Sequence, residues 1–276
     1  MLIELWNTNH LITIAAFLVI AVIFGLVLKG KDASVQKKVL IVLAFINLAL
    51  HFAKLFLPEY KELMPESIAD VTFGSISAAL AIMAPVILLT KNKVMKDFLF
   101  YMGVIATVFA IIYPLDMIGR ELTEYEVIRY YLSTVCLFLA AFYMVFFGHH
   151  GLDLKRVLVF PLVFIAVECL ILANEVILME AGLVEFRGEA GFLEYNYNDP
   201  NFIFGPPEEF ADICEKAVEP LVPEIFKTVK GGVNAGSEKY IPIAWMIVPC
   251  YIYFTVISGL FCLTITKVFK KTGDDF

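Results

Sequence analysis

A set of hydroxyl, amide and ionisable side chains interrupts sequence that is otherwise continuously apolar. It comprises Asn47, His51 and Lys54; Ser75 and Ser77; Asp116; Arg129, Ser133 and Thr134; and Glu168, Asn174 and Glu175. Such groups are costly inside a bilayer and mark functional or paired positions. His51 and Lys54 are three residues apart, and Glu168 and Glu175 are seven apart, so each pair shares a helix face. A serine hydroxyl becomes a nucleophile when a neighbouring base takes its proton and a carboxylate orients that base. The residue types allow this, with Ser77 as nucleophile, His51 as base, and Glu168 or Asp116 as the orienting acid. Asn47, Ser75, Asp116, Arg129, Thr134, Asn174 and Glu175 are the further candidates to line a ligand pocket. Lys54 and Arg129 have a second use, snorkelling to the membrane interface.

Metal chemistry finds little support. His149-His150 has no third ligand nearby and reads as an interfacial cap. Of the five cysteines, Cys136, Cys169, Cys250 and Cys262 fall in apolar runs as small filler, and none forms a CxxC pair. No metal, cofactor or nucleic acid is expected.

The elements that must position these groups are membrane spans. Of 276 residues 60% are hydrophobic and 18% charged, more apolar surface than a soluble domain of this length hides. Several runs reach the ~20 residues that cross a hydrocarbon core of ~30 Å. Each span must satisfy its own backbone, so helices are expected, and the continuous runs exclude the alternation of a membrane barrel. The runs lie at about 11–28, 39–57, 71–90, 98–113, 130–147, 157–178 and 241–265. The fold class expected is therefore all-α, a polytopic bundle of about seven transmembrane helices forming a single membrane domain over 1–276. The first run lacks the basic leader of a signal peptide and is kept as a helix.

Charge sets a direction. Lys29, Lys31, Lys37 and Lys38 follow the first span, Lys91, Lys93 and Lys96 the third, Lys155 and Arg156 the fifth, and Lys267, Lys270 and Lys271 the last. The alternate loops carry Glu59, Glu62, Glu66 and Asp70, then Glu121, Glu124 and Glu126. The basic clusters share one side only with an odd number of spans, giving an outside N-terminus and a cytoplasmic C-terminus. In that frame the polar set concentrates in the outward half of the bundle, as an outward-facing polar pocket would. The 180–240 segment then lies outside the membrane. It is expected to hold a loop over 191–200 and a short amphipathic helix starting near Pro206-Pro207-Glu208-Glu209, a surface for a membrane-protein partner or a cover for the bundle.

The third to sixth runs carry a resemblance. Ala84-Pro85 and Leu88-Leu89-Thr90-Lys91 close the third run, Pro114 follows the fourth, Tyr130-Tyr131-Leu132-Ser133 opens the fifth, and Asn174 lies in the sixth. In this the chain resembles the YwaF-like family, which includes transmembrane protein 164. The resemblance covers roughly the second to the seventh span. It implies a multi-spanning scaffold and lipid acyl transfer through a cysteine nucleophile and a histidine. At the corresponding positions this sequence has Ser75 for histidine, Ser77 for cysteine and Thr134 for the second histidine. A threonine cannot serve as the base.

Three functions follow in order. The first is a non-catalytic, lipid-related pocket protein or membrane-complex subunit with a degenerate acyltransferase site. The second is an active outer-leaflet lipid acyltransferase or hydrolase using Ser77. The third is a proton-coupled transporter, weakened by the lack of an inverted repeat. The expected partner is membrane lipid, and the expected location is the plasma membrane, multi-pass.

Overall fold

The structure is a computed structural model and describes residues 2–183, 203, 205, 211–227 and 240–272. Loop residues 191–200 and the expected helix start at 206–209 lie outside these. The chain is all-helical, with no strand among the described residues. The helices are α1 (Thr8–Lys29), α2 (Ala33–Phe52), α3 (Pro58–Lys61), α4 (Ile76–Leu89), α5 (Lys93–Ile112), α6 (Tyr125–Phe146), α7 (Leu154–Val157), α8 (Phe160–Glu180), α9 (Ala211–Ala217) and α10 (Ala244–Thr272).

Six helical segments are long and apolar enough to cross a membrane: Thr8–Lys29, Ala33–Phe56, Lys93–Met117, Tyr125–Phe146, Leu154–Glu180 and Ala244–Lys267. The seventh expected span is shorter. Helix α4 has 14 residues and rises about 21 Å at ~1.5 Å per residue, less than a ~30 Å core. Its expected first turns, Thr72-Phe73-Gly74-Ser75, are not helical. Glycine and short hydroxyl residues hold a helix poorly, and the Thr72 hydroxyl accepts a 3.0 Å hydrogen bond from Asn174 Nδ2 instead.

The chain forms two compact units. The first comprises residues 1–71 and 77–152. At its centre lies α6, with 67% of its membrane-length apolar stretch buried, against 17% for α1. Helix α2 turns one stripe inward, Gln36, Leu40, Ala44, Asn47 and His51, at the spacing of a single helix face. Packed against α6 from another side is α5, where a Cβ on Gly103 would stand 2.8 Å from Ala141 Cβ, so the two backbones approach as closely as glycine allows. The Tyr143 hydroxyl on α6 donates to Ala21 O of α1 at 2.5 Å. Leu18, Val19, Val22, Ile23, Leu26 and Val27 of α1 are exposed, the face a lipid-contacting helix presents.

An arm precedes α1. Ile3 donates to Arg120 O (2.9 Å) and accepts from Gly119 N (2.8 Å), where Gly119 has φ 83°. Ile3 is fully buried with Met117 and Val127. His10 closes the arm: Nδ1 accepts from Trp6 N at 3.0 Å and Nε2 bonds Ile111 O at 2.9 Å.

The second unit comprises residues 72–76 and 153–276. There α8 packs on α10, with Phe164 edge-on to Phe254 at 4.7 Å. Helix α10 contains Pro249. Before it, Tyr240 stacks on Trp245 at 5.1 Å, and Trp245 Nε1 donates to Ile203 O at 3.0 Å. The 180–240 segment contributes the seven-residue α9, and Tyr253 of α10 donates to Ala217 O at 2.6 Å.

Candidate functional site

The polar residues of the first unit gather on the seam between α2 and α6. On α2, Asn47 and His51 are one turn apart and buried. Asn47 Oδ1 accepts from Ser133 Oγ of α6 at 2.5 Å. Its Nδ2 is buried and has no acceptor among the described residues. His51 Nε2 lies 3.0 Å from Val71 O. A carbonyl only accepts, so this nitrogen carries the proton.

One turn further along, Arg129 is clamped by Glu126. Arg129 Nε donates to Glu126 Oε2 at 2.6 Å and Nη2 to Oε1 at 2.5 Å, with both side chains 5% exposed. Nη1 reaches across to Leu50 O at 3.2 Å, and Tyr60 Oη donates to Glu126 Oε1 at 3.3 Å. The guanidinium thus uses its planar fork on one carboxylate and ties α2 to α6. Glu126 is a loop acid if the fifth span begins at its first apolar stretch, near Tyr130. Helix α6 starts one turn earlier, at Tyr125, and brings Glu126 inside. The spacing of Glu126 and Arg129 was the available signal.

Around this clamp lie weaker charges. Lys54 is half-buried, with Nζ 3.5 Å from Asp70 O. The Asp70 carboxyl is pushed above its usual range by desolvation; Lys54 opposes the shift and Glu126 adds to it. Asp116 is exposed on the turn Leu115–Met117, within electrostatic reach of Lys54 and Tyr130. Thr134 donates its hydroxyl to Tyr130 O of its own helix at 2.9 Å. Ser77 is exposed in the first turn of α4.

The other candidates belong to the second unit. Glu168 and Glu175 are buried on the inward stripe of α8, and Asn174 binds Thr72 on the short stretch that also contains Ser75. Cys250 of α10, read as apolar filler, is within electrostatic reach of Glu168. The candidate nucleophile Ser77, the base His51 and one candidate orienting acid, Asp116, therefore lie in one unit, and the other candidate acid, Glu168, belongs to the second.

The far end of the first unit also holds buried charge, outside the polar set that the sequence places in the outward half. His150 Nε2 lies 2.6 Å from Asp97 Oδ1, both nearly inaccessible. This corrects His150 from an interfacial cap to a buried partner of α5. No group of three metal-ligating side chains occurs among the described residues.

The family model described as the TMEM164 family matches residues 5–218. No curated protein and no solved structure gives a significant match.

Proposed function

The chain belongs to the TMEM164 family of membrane proteins, and from that premise we propose that it is a lipid-related pocket protein whose acyltransferase site is degenerate. The observation that carries this reading is the Asn47 amide. A buried N–H donor without an acceptor is costly in a medium that lacks water, and it is the group that a ligand carbonyl or phosphate oxygen would satisfy. The seam beside it supplies Ser133 and His51 as further polar contacts.

Two details support loss of catalysis. Thr134, at the family's histidine position, has no basic nitrogen, and its hydroxyl is engaged by Tyr130 O. His51 directs its protonated Nε2 at Val71 O, so a catalytic role falls to Nδ1 alone. In this reading Arg129, held in its clamp, supports the pocket of the first unit, and Ser77 and His51 are remnants of the catalytic constellation. The polar seam faces outward, the C-terminus is cytoplasmic, the location is the plasma membrane, and the 180–240 segment lies outside as the docking surface for a membrane partner. The basic clusters after α1 and α4 support this orientation.

Reconstitution into vesicles containing labelled phospholipid tests the function. Lipid should co-purify with the wild-type chain and be depleted in Asn47→Leu, with no acyl transfer or hydrolysis above background. Acyl transfer that disappears in Ser77→Ala would overturn the non-catalytic reading in favour of an active serine acyltransferase. For orientation, a cysteine at Glu62 should react with an impermeant maleimide from outside intact cells, and one at Lys31 only after lysis.

A further inference from the structure

The first unit has a second polar feature, at the end opposite the Glu126–Arg129 clamp. A cavity of about 120 Å³ opens there, lined by Lys37, Leu40 and Ile41 of α2, Leu88 of α4, Lys96 of α5, Met144 of α6 and His149. Four of its seven walls are apolar, and the other three are basic side chains from separate parts of the chain. Among the described residues no carboxylate pairs with Lys37 or Lys96. The nearby buried acid, Asp97, is already engaged by His150 at 2.6 Å. His149 Nε2 is buried with no hydrogen-bond partner. Burial, then Lys37 and Lys96, hold the His149 imidazole below its ordinary pKa of 6.5. Lys37 and Lys96 thus sit close enough to His149 to disfavour its positive charge, and no carboxylate among the described residues compensates them.

We infer that this cavity is an anion site for a phosphate group, with Lys37 and Lys96 as its cationic contacts and His149 Nε2 as a third. The apolar walls of Leu40, Ile41, Leu88 and Met144 suit a phosphate borne on an acyl lipid, whose first carbons would lie against them. Basic pockets between membrane helices recognise anionic headgroups through the same combination of paired ammonium groups and low-dielectric walls. The site stands apart from the α2–α6 polar seam, and it does not depend on whether that seam binds or transfers lipid.

The test uses the full chain purified in a non-ionic detergent and titrated calorimetrically with dihexanoyl phosphatidic acid, dihexanoyl phosphatidylcholine and inorganic phosphate. Phosphatidic acid should bind at least about tenfold more tightly than phosphatidylcholine, the effect expected of contacts to charged donors. The double variant Lys37→Ala, Lys96→Ala should abolish that preference. Lys38→Ala, Lys93→Ala removes equal charge from the same two helices outside the lining and should retain it. Inorganic phosphate that displaces the lipid at similar concentration identifies a phosphate site without tail recognition. Failure to displace it identifies a lipid site, and either result supports the assignment. Equal binding of the two lipids overturns it. So does equal loss in both double variants, or an Ile41→Trp chain, with its cavity filled, that binds phosphatidic acid as wild type does.

Discussion

The two ends of the first unit handle charge in opposite ways. At the α2–α6 seam Arg129 finds Glu126 within its own helix, and Leu50 O and Tyr60 complete the arrangement. At the other end Lys37, Lys96 and His149 converge on a cavity with no acid to meet them. A charge neutralised inside the protein ties helices together and has little capacity left for anything else. A charge left unanswered beside apolar walls costs stability in the empty protein and yields affinity when an anion arrives. Polarity inside a membrane protein is therefore not one signal: the partner list separates a strut from a site.

Breaking the clamp should have the largest effect. Glu126→Ala leaves the Arg129 guanidinium buried and unpaired, and should cost about 3 kcal/mol or more in thermal or denaturant unfolding of the detergent-solubilised chain. A loss below about 1 kcal/mol would show that the clamp is solvated and erase the contrast between the ends. Asp97→Ala should cost less, about 2 kcal/mol, since it removes one hydrogen-bonded partner from His150. The pair Lys37→Ala, Lys96→Ala should leave unfolding within about 0.5 kcal/mol of wild type or stabilise it, because no partner is orphaned. Marked destabilisation would mean that these lysines belong with the clamp rather than with a site.

The smallest effect is a pH dependence. His149 has a folded-state pKa below its ordinary value, so the unfolded chain takes up the proton first as pH falls. The stability contributed by neutral His149 is present above its ordinary pKa of 6.5 and lost below it. The unfolding temperature should therefore decline between about pH 7.5 and pH 5 by an amount that His149→Gln removes. An unchanged decline in that variant would place the titration elsewhere.

Much of the fold was legible in the sequence because run length and bilayer thickness are tied by a fixed rise per residue. Six of the seven expected runs are long helices, and the seventh is helical over its apolar part only. The truncation at Thr72–Ser75 was readable locally in Gly74 and its hydroxyl neighbours, but its cause lies with Asn174, 102 residues away. Clustering of Asn47, His51, Arg129 and Ser133 on one seam follows from helix spacing and from antiparallel neighbours. The clamp was missed because hydropathy starts a span at its first apolar residue, whereas a helix starts where its backbone bonds do. The Asp97–His150 pair joins residues 53 apart that carry no mutual spacing rule. The basic cavity escaped for a related reason: Lys37 and Lys96 look like ordinary positive-side loop charges until the fold sets them and His149 around one space.

The contact at Gly103 carries a mechanical meaning. Two helices whose backbones meet at Gly103 and Ala141 have no side-chain layer between them to slide on. Helices α5 and α6 are therefore pinned together at that point, like the two members of a beam running from one end of the unit to the other. One end of that beam bears Glu126 and Arg129, with Ala110 O accepting from Tyr130 at 3.0 Å; the other bears Lys96, Asp97 and Met144. A larger residue at Gly103 would have to push α5 and α6 apart at Ala141, and so would loosen the one place where the elements bearing the two ends are held backbone to backbone.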